Sequence, residues 1–259
     1  MTQTQPRHRW ITPLAFLMLL CLIPCPGFGQ DTTALPAAYT PTYTPTANMM
    51  GQLGLNTVPS ARMDKAGTFR ATLSREHPYT HATLGMQMTD HLFVALRQTS
   101  QSHSFLGNSD HLYPGLDLKW SVVDERRYRP QIAIGLQSAL GHKRMAAEYV
   151  ALSKRYHDID FTFGFGWGRL ASGSSLPNPA LFQSLSGHSS RALDGENPNT
   201  PHDWFRGDMG LFGGIDYATP ITGLSVKADI STDTWTAEKT ADPDIKTPAT
   251  WSVGVSYRP

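Results

Sequence analysis

The sequence predicts an all-β protein, an antiparallel transmembrane β-barrel of about ten strands, and three observations carry that prediction. The first is alternation. Ile159–Gly168 reads IDFTFGFGWG, which puts Ile159, Phe161, Phe163, Phe165 and Trp167 on one face and Asp160, Thr162, Gly164, Gly166 and Gly168 on the other. A period of two marks a strand between two different environments, and ten residues suit a tilted strand that crosses a bilayer. The second is a rhythm of short and long connections between such strands. The third is an export segment at the N-terminus.

That segment comes first in the chain. Arg7-His8-Arg9 is followed by the apolar run Leu14 to Ile23 and by Pro26-Gly27-Phe28-Gly29, the layout of a secretory signal peptide cleaved after Gly29. Both cysteines, Cys21 and Cys25, fall inside it, so the mature chain is expected to carry neither disulfide nor lipid. Loss of Arg7 and Arg9 from 22 basic residues leaves 20 against 21 acidic ones. A net charge of −1 offers nothing to attract nucleic acid. Residues 30–48 are rich in Pro, Thr and Ala, with the tandem units Tyr39-Thr40-Pro41-Thr42 and Tyr43-Thr44-Pro45-Thr46. They read as an extended periplasmic leader, and residues 49–259 as the barrel domain.

Ten strands are expected in the remainder: Phe69–Ser74, Tyr79–Met88, Leu92–Gln98, Leu116–Val122, Gln131–Gln137, Ala147–Tyr156, Ile159–Gly168, Asp208–Tyr217, Leu224–Ser231 and Trp251–Arg258. Nearly all alternate, and no long helical period competes. After strands two, four, six and eight the links are short, and after three, five, seven and nine they are long. An even strand count with short periplasmic turns and longer extracellular loops is the layout of outer-membrane barrels. Tyr79, Trp120, Trp167, Tyr217, Trp251 and Tyr257, all near strand ends, are expected to form interfacial girdles. Ten strands enclose a narrow lumen filled by side chains, so one copy is not expected to pass a hydrated sugar chain.

Several motifs are similar to those of a known family, the YjbH-type outer-membrane proteins encoded with exopolysaccharide and group 4 capsule genes. The resemblance begins at Gly51–Phe69, GQLGLNTVPSARMDKAGTF, and continues through Asp117-Leu118-Lys119, Glu125, Pro130, Gly135, Glu148-Tyr149-Val150, Ser153-Lys154, Gly164–Gly168, Asn178-Pro179 and Phe212–Tyr217. It covers roughly Gly51 to the C-terminus and matches the N-terminal barrel portion of that family. One departure is Ser138-Ala139-Leu140-Gly141-His142, where the family often has Asp followed by Gly-Thr-Gly. The resemblance implies a non-enzymatic role at the outer membrane of a Gram-negative bacterium in producing or exporting a polysaccharide, with no cofactor. Outer-membrane lipid, a polysaccharide and other export proteins are the partners it suggests.

Candidate contact residues follow. Arg62, just before the first strand, offers a bidentate grip for a carboxylate or sugar acid, or else it pairs with a barrel acid and fixes the leader. Glu125, Arg126, Arg127 and Arg129 crowd one turn, as a solvated tip or a partner contact. Asp117 and Lys119 lie on the polar face of their strand. Glu148 and Lys154 share a face with Val150 and Leu152. That face is expected to meet the lumen, because a charge at the bilayer midplane costs about 2–4 kcal/mol; facing lipid, both charges would have to sit near the interfaces. Arg169–Gly207 reads as a long surface loop, or one that touches polymer or folds over the mouth.

Two other readings remain open. A soluble periplasmic β-protein would turn the apolar faces inward and stack sugars on Trp167, Trp204, Trp235 or Trp251. An outer-membrane lipid or acyl hydrolase needs only one Ser and one His brought together, although the chain lacks a Gly-x-Ser-x-Gly elbow and a His-x-x-x-His pair.

Overall fold

The computed structural model describes residues 45–101, 111–179, 182–183, 191, 193, 198–241 and 248–258. The signal segment, the leader up to Thr44 and the serine-rich stretch Ser184–Ser190 lie outside these residues. Ten strands form one antiparallel sheet in sequence order: β1 (Phe69–Glu76), β2 (Tyr79–Thr89), β3 (Leu92–Gln101), β4 (His111–Val123), β5 (Gln131–Gln137), β6 (Ala147–Tyr156), β7 (Ile159–Gly168), β8 (Gly210–Ala218), β9 (Leu224–Ser231) and β10 (Trp251–Tyr257). A six-residue helix, α1 (Thr236–Ala241), lies between β9 and β10. Among the described residues no helix is long and apolar enough to cross a membrane.

The two faces of this sheet are inverted relative to a water-soluble β-protein. Leu73, Leu84, Leu96, Trp120, Phe161, Phe163, Ile215, Val253 and Val255 are exposed on the outer face. Arg97, Asp117, Lys119, Asp160, Asp216, Lys227 and Asp229 are buried on the inner one. Alternation explains why both sets come from the same strands: cross-strand partners such as Phe163 and Gly213, or Asp160 and Asp216, project from the same face.

Inside the sheet runs the segment 45–66, which has no regular secondary structure but is held by strands from β1 to β10. Its Met49 carbonyl accepts from Ser74 on β1, and its Asn56 donates to Ser252 on β10, 2.9 Å away. A sheet whose two edges contact one internal segment must curl around it. Two features let the curl close on so much backbone. Gly51, with φ of +83°, occupies a spot where a Cβ would lie 2.5 Å from the Thr72 hydroxyl and 2.6 Å from Thr83 Cβ, so the segment passes the wall only without a side chain. On the far side Gly135 leaves room for the Tyr149 ring, whose Cζ would stand 2.1 Å from a Cβ there.

Three expectations need correction. The sheet is not a closed barrel: β1 pairs with β2 and β10 with β9, but β1 and β10 do not pair. The internal segment bonds to both of these edge strands. Glu148 and Lys154 do not face the lumen. Tyr149, Ala151 and Ser153 do, since Tyr149 and Ser153 bond to the internal segment, which sends Glu148, Val150, Leu152 and Lys154 outward. Tyr79 and Trp167 are fully buried and belong to no girdle. Tyr79 points inward against Tyr113 and Trp235, and Trp167 is covered by Phe182 and Phe205. Trp120, Tyr217, Trp251 and Tyr257 stand exposed at strand ends as expected.

Candidate functional site

The internal segment presents a problem of backbone chemistry. Peptide groups outside helices and sheets need other partners when buried, and here the chain and the wall share the task. Within the segment, the Asn48 carboxamide oxygen accepts from the amides of Met50 and Gln52 at 3.0 and 3.1 Å. Gly54 donates to the Thr46 carbonyl and Leu55 to that of Val58. The wall supplies the rest through charged side chains. Lys119 donates to the carbonyls of Leu53 (3.1 Å) and Arg62 (2.6 Å). Lys227 donates to that of Gly54 at 2.7 Å. Asp229 accepts from the amides of Asn56 and Thr57, both at 2.8 Å. Neutral groups complete the set: the Ser153 hydroxyl accepts from Ala61 N at 2.9 Å, and the Tyr149 hydroxyl donates to Gln52 at 2.7 Å.

Lysines meet carbonyls and an aspartate meets amides, so the inner charges solvate the backbone of segment 45–66, which sits as a stopper inside the curl, as water would. They also hold one another. Lys227 lies 3.8 Å from Asp216. Arg97 grips Asp117 bidentately at 2.9 and 3.1 Å, and Asp117 accepts from Ser138 N at 2.7 Å.

Arg62 locks the stopper at the pole where the short turns lie. Its Nε and one terminal nitrogen donate to the two Asp160 oxygens at 2.7 and 2.6 Å, and the other donates to Glu125 at 2.5 Å and Gln131 at 3.1 Å. Glu125 in turn accepts from Arg155 N and pairs with Lys154, both at 3.0 Å. Burial works against the Arg62 charge, but Asp160 and Glu125 outweigh it and raise the guanidinium above its ordinary value. For Glu125 burial pushes the other way, and Arg62, Arg155 and Lys154 overcome it to hold the carboxyl below 4.5. A carboxyl depressed in this way contributes stability that is complete above its ordinary value and drains away as pH falls through the folded one. The Arg62 rim is therefore expected to loosen below about pH 4.5, at the ordinary carboxyl value. Limited proteolysis of the segment 45–66 across pH 3–7 checks this, with cutting that rises only on the acid side.

The opposite pole is also covered. Arg169, buried after β7, pairs with Asp233 at 2.9 Å and Glu238 at 3.7 Å and lies over the rings of Tyr79 and Trp235. The Tyr79 hydroxyl donates to Glu238 at 3.0 Å. On the outer side, Glu148 is buried against Arg191 at 2.5 Å and accepts from Phe205 N at 3.1 Å. Trp167 donates to Asn178 at 2.9 Å.

The structure thus places the six sequence-derived contact residues in three settings. Arg62 and Glu125 form the rim lock, which Lys154 joins from outside. Asp117 and Lys119 face the stopper or a wall partner. Glu148 stands apart, beneath the long loop. Arg97 and Asp160 are not among the contact residues the sequence suggests, and Tyr149 and Ser153 enter only through the family motifs, although each occupies an inward position of an alternating strand.

Comparison with known proteins adds the following. A family model described as "YjbH: Exopolysaccharide biosynthesis protein YbjH" matches residues 46–259. A protein of Escherichia coli (strain K12) called "Uncharacterized lipoprotein YjbH" is 26% identical over 246 residues, covering 90% of this chain and 34% of its own length. The chain thus spans about a third of that relative. No solved structure matches.

Proposed function

Because this chain belongs to the YjbH exopolysaccharide biosynthesis family, we propose that it is an outer-membrane β-barrel, stoppered by its own N-terminal segment, that assists polysaccharide production, export or surface assembly without catalysing a reaction itself. The observation that carries this reading is the inverted sheet. An outer face of exposed Leu, Phe, Val and Trp side chains suits hydrocarbon, and an inner face of ion pairs suits a lumen. Lipid cannot satisfy a free strand edge, so this reading requires the β1 and β10 edges to be paired or covered in the membrane.

The stopper gives the role its limits. Residues 45–66 occupy the space a sugar chain would need, and Arg169 with its partners covers the far pole. The barrel therefore acts as a scaffold for polymer and for other export proteins rather than as a conduit. The relative's name calls that protein a lipoprotein, which supports an envelope location for this one.

The test is the gel mobility of the full mature protein from membrane fractions, heated and unheated. A heat-dependent shift in the outer-membrane fraction is expected. A soluble periplasmic protein with no shift would overturn the reading and favour a sugar-binding β-protein.

A further inference from the structure

The connection between β4 and β5, residues 124–130, is the longest at the short-turn pole and carries the sequence DERRYRP. Arg126 and Arg129 exchange backbone hydrogen bonds at 2.9 and 3.2 Å, which closes a tight turn on Arg127 and Tyr128. The Lys154 ammonium anchors this turn by donating to the Arg126 carbonyl. The hairpin is thus held in shape while its tip side chains are exposed, Tyr128 at 88%.

Its charge is left unbalanced by the rim lock. Glu125, which precedes the basic run, is taken up by Arg62 and Lys154. Asp124 lies 3.6 Å from His91. Among the described residues Arg126, Arg127 and Arg129 form no ion pair. Arg127 lies 5.2 Å from the Tyr128 ring centre, and Arg129 reaches only the Asp124 carbonyl at 3.4 Å. Three guanidinium forks and an exposed phenol ring therefore share one rigid tip.

We propose that this tip binds an acidic polysaccharide through its sugar carboxylates. An arginine fork matches a carboxylate in two parallel hydrogen bonds, and a tyrosine covers the C–H face of a sugar with its ring while its hydroxyl stays polar. Arg62 has the same fork, but Asp160 occupies it. At the tip that chemistry is open to a ligand. The proposal rests on the family's exopolysaccharide role, and its test separates the two.

The full chain in detergent micelles is titrated with oligogalacturonate, with dextran as the neutral control. Binding to oligogalacturonate alone is expected. It should weaken at least tenfold in the triple variant R126K/R127K/R129K, which keeps the charge and loses the forks, and severalfold in Tyr128→Ala. Equal binding by the triple variant, equal binding of dextran, no binding at all, or a preference for phosphatidylglycerol vesicles would each overturn the proposal. In cells, deletion of the gene is compared with the triple variant. If deletion lowers polymer output and the triple variant restores it fully, the tip assignment fails and the family role stands. If deletion leaves output unchanged, the role itself fails whatever the tip binds.

Discussion

Arg62→Ala is expected to destabilise the folded protein by about 3–5 kcal/mol, the range for breaking a buried ion pair by removing one partner. The reason lies less in the lost bonds than in what stays behind. Asp160 has a side chain only 3% exposed, and without the guanidinium both of its oxygens lose the hydrogen bonds that Arg62 supplies. Glu125 keeps Lys154 and Arg155 N, so its share of the cost is smaller. The Lys119 bond to the Arg62 carbonyl survives, since it uses backbone. The stopper should therefore loosen at the rim first, and a lower urea midpoint in detergent should come with protease cutting near residues 60–66. Arg62→Lys should fall between, with charge retained and the bidentate geometry lost. If Arg62→Ala keeps the wild-type midpoint and still abolishes polymer output, the arginine contacts a ligand and the lock assigned here is wrong.

The strands were legible because their signal is local. Ala147–Tyr156, Ile159–Gly168 and Leu224–Ser231 have the same bounds in sequence and structure. β4 begins earlier than alternation shows, at His111, because Pro114 and Gly115 interrupt the pattern while the ladder to β3 continues through Pro114↔Gln98 and Gly115↔Arg97. The stopper was not legible as a stopper. Gly51–Met63 has no period to read, since its hydrogen bonds go to wall residues such as Asp229 and Ser153, far away in sequence; only the family resemblance marked it. Glu148 misled for a related reason. Its neighbours Val150 and Leu152 look like a lipid face and its charge looks like a lumen group, and the conflict is settled by Arg191, 43 residues on. Alternation assigns a residue to a face, but the partner that neutralises it belongs to tertiary structure.

Asp117→Ala is expected to be at least as damaging as the loss of Arg62, about 3–5 kcal/mol on the same grounds, because its pair is more completely enclosed. The side chains of Arg97 and Asp117 are 1% and 0% exposed. Without the carboxylate Arg97 keeps one neutral acceptor, the Thr99 hydroxyl at 3.2 Å, and Ser138 N loses its acceptor as well. A contact with polymer predicts something else, a folded protein with altered output, so stability separates the two roles. The double variant Arg97→Met/Asp117→Leu sharpens the test. It removes both charges and refills the volume, and such exchanges are often neutral or stabilising, apart from the Ser138 amide that remains orphaned at a cost of about 1–3 kcal/mol. The double variant should therefore be more stable in urea than Asp117→Ala alone. If it is less stable, the two residues do not act as one pair, and the inner face is held by something other than the mutual neutralisation seen here.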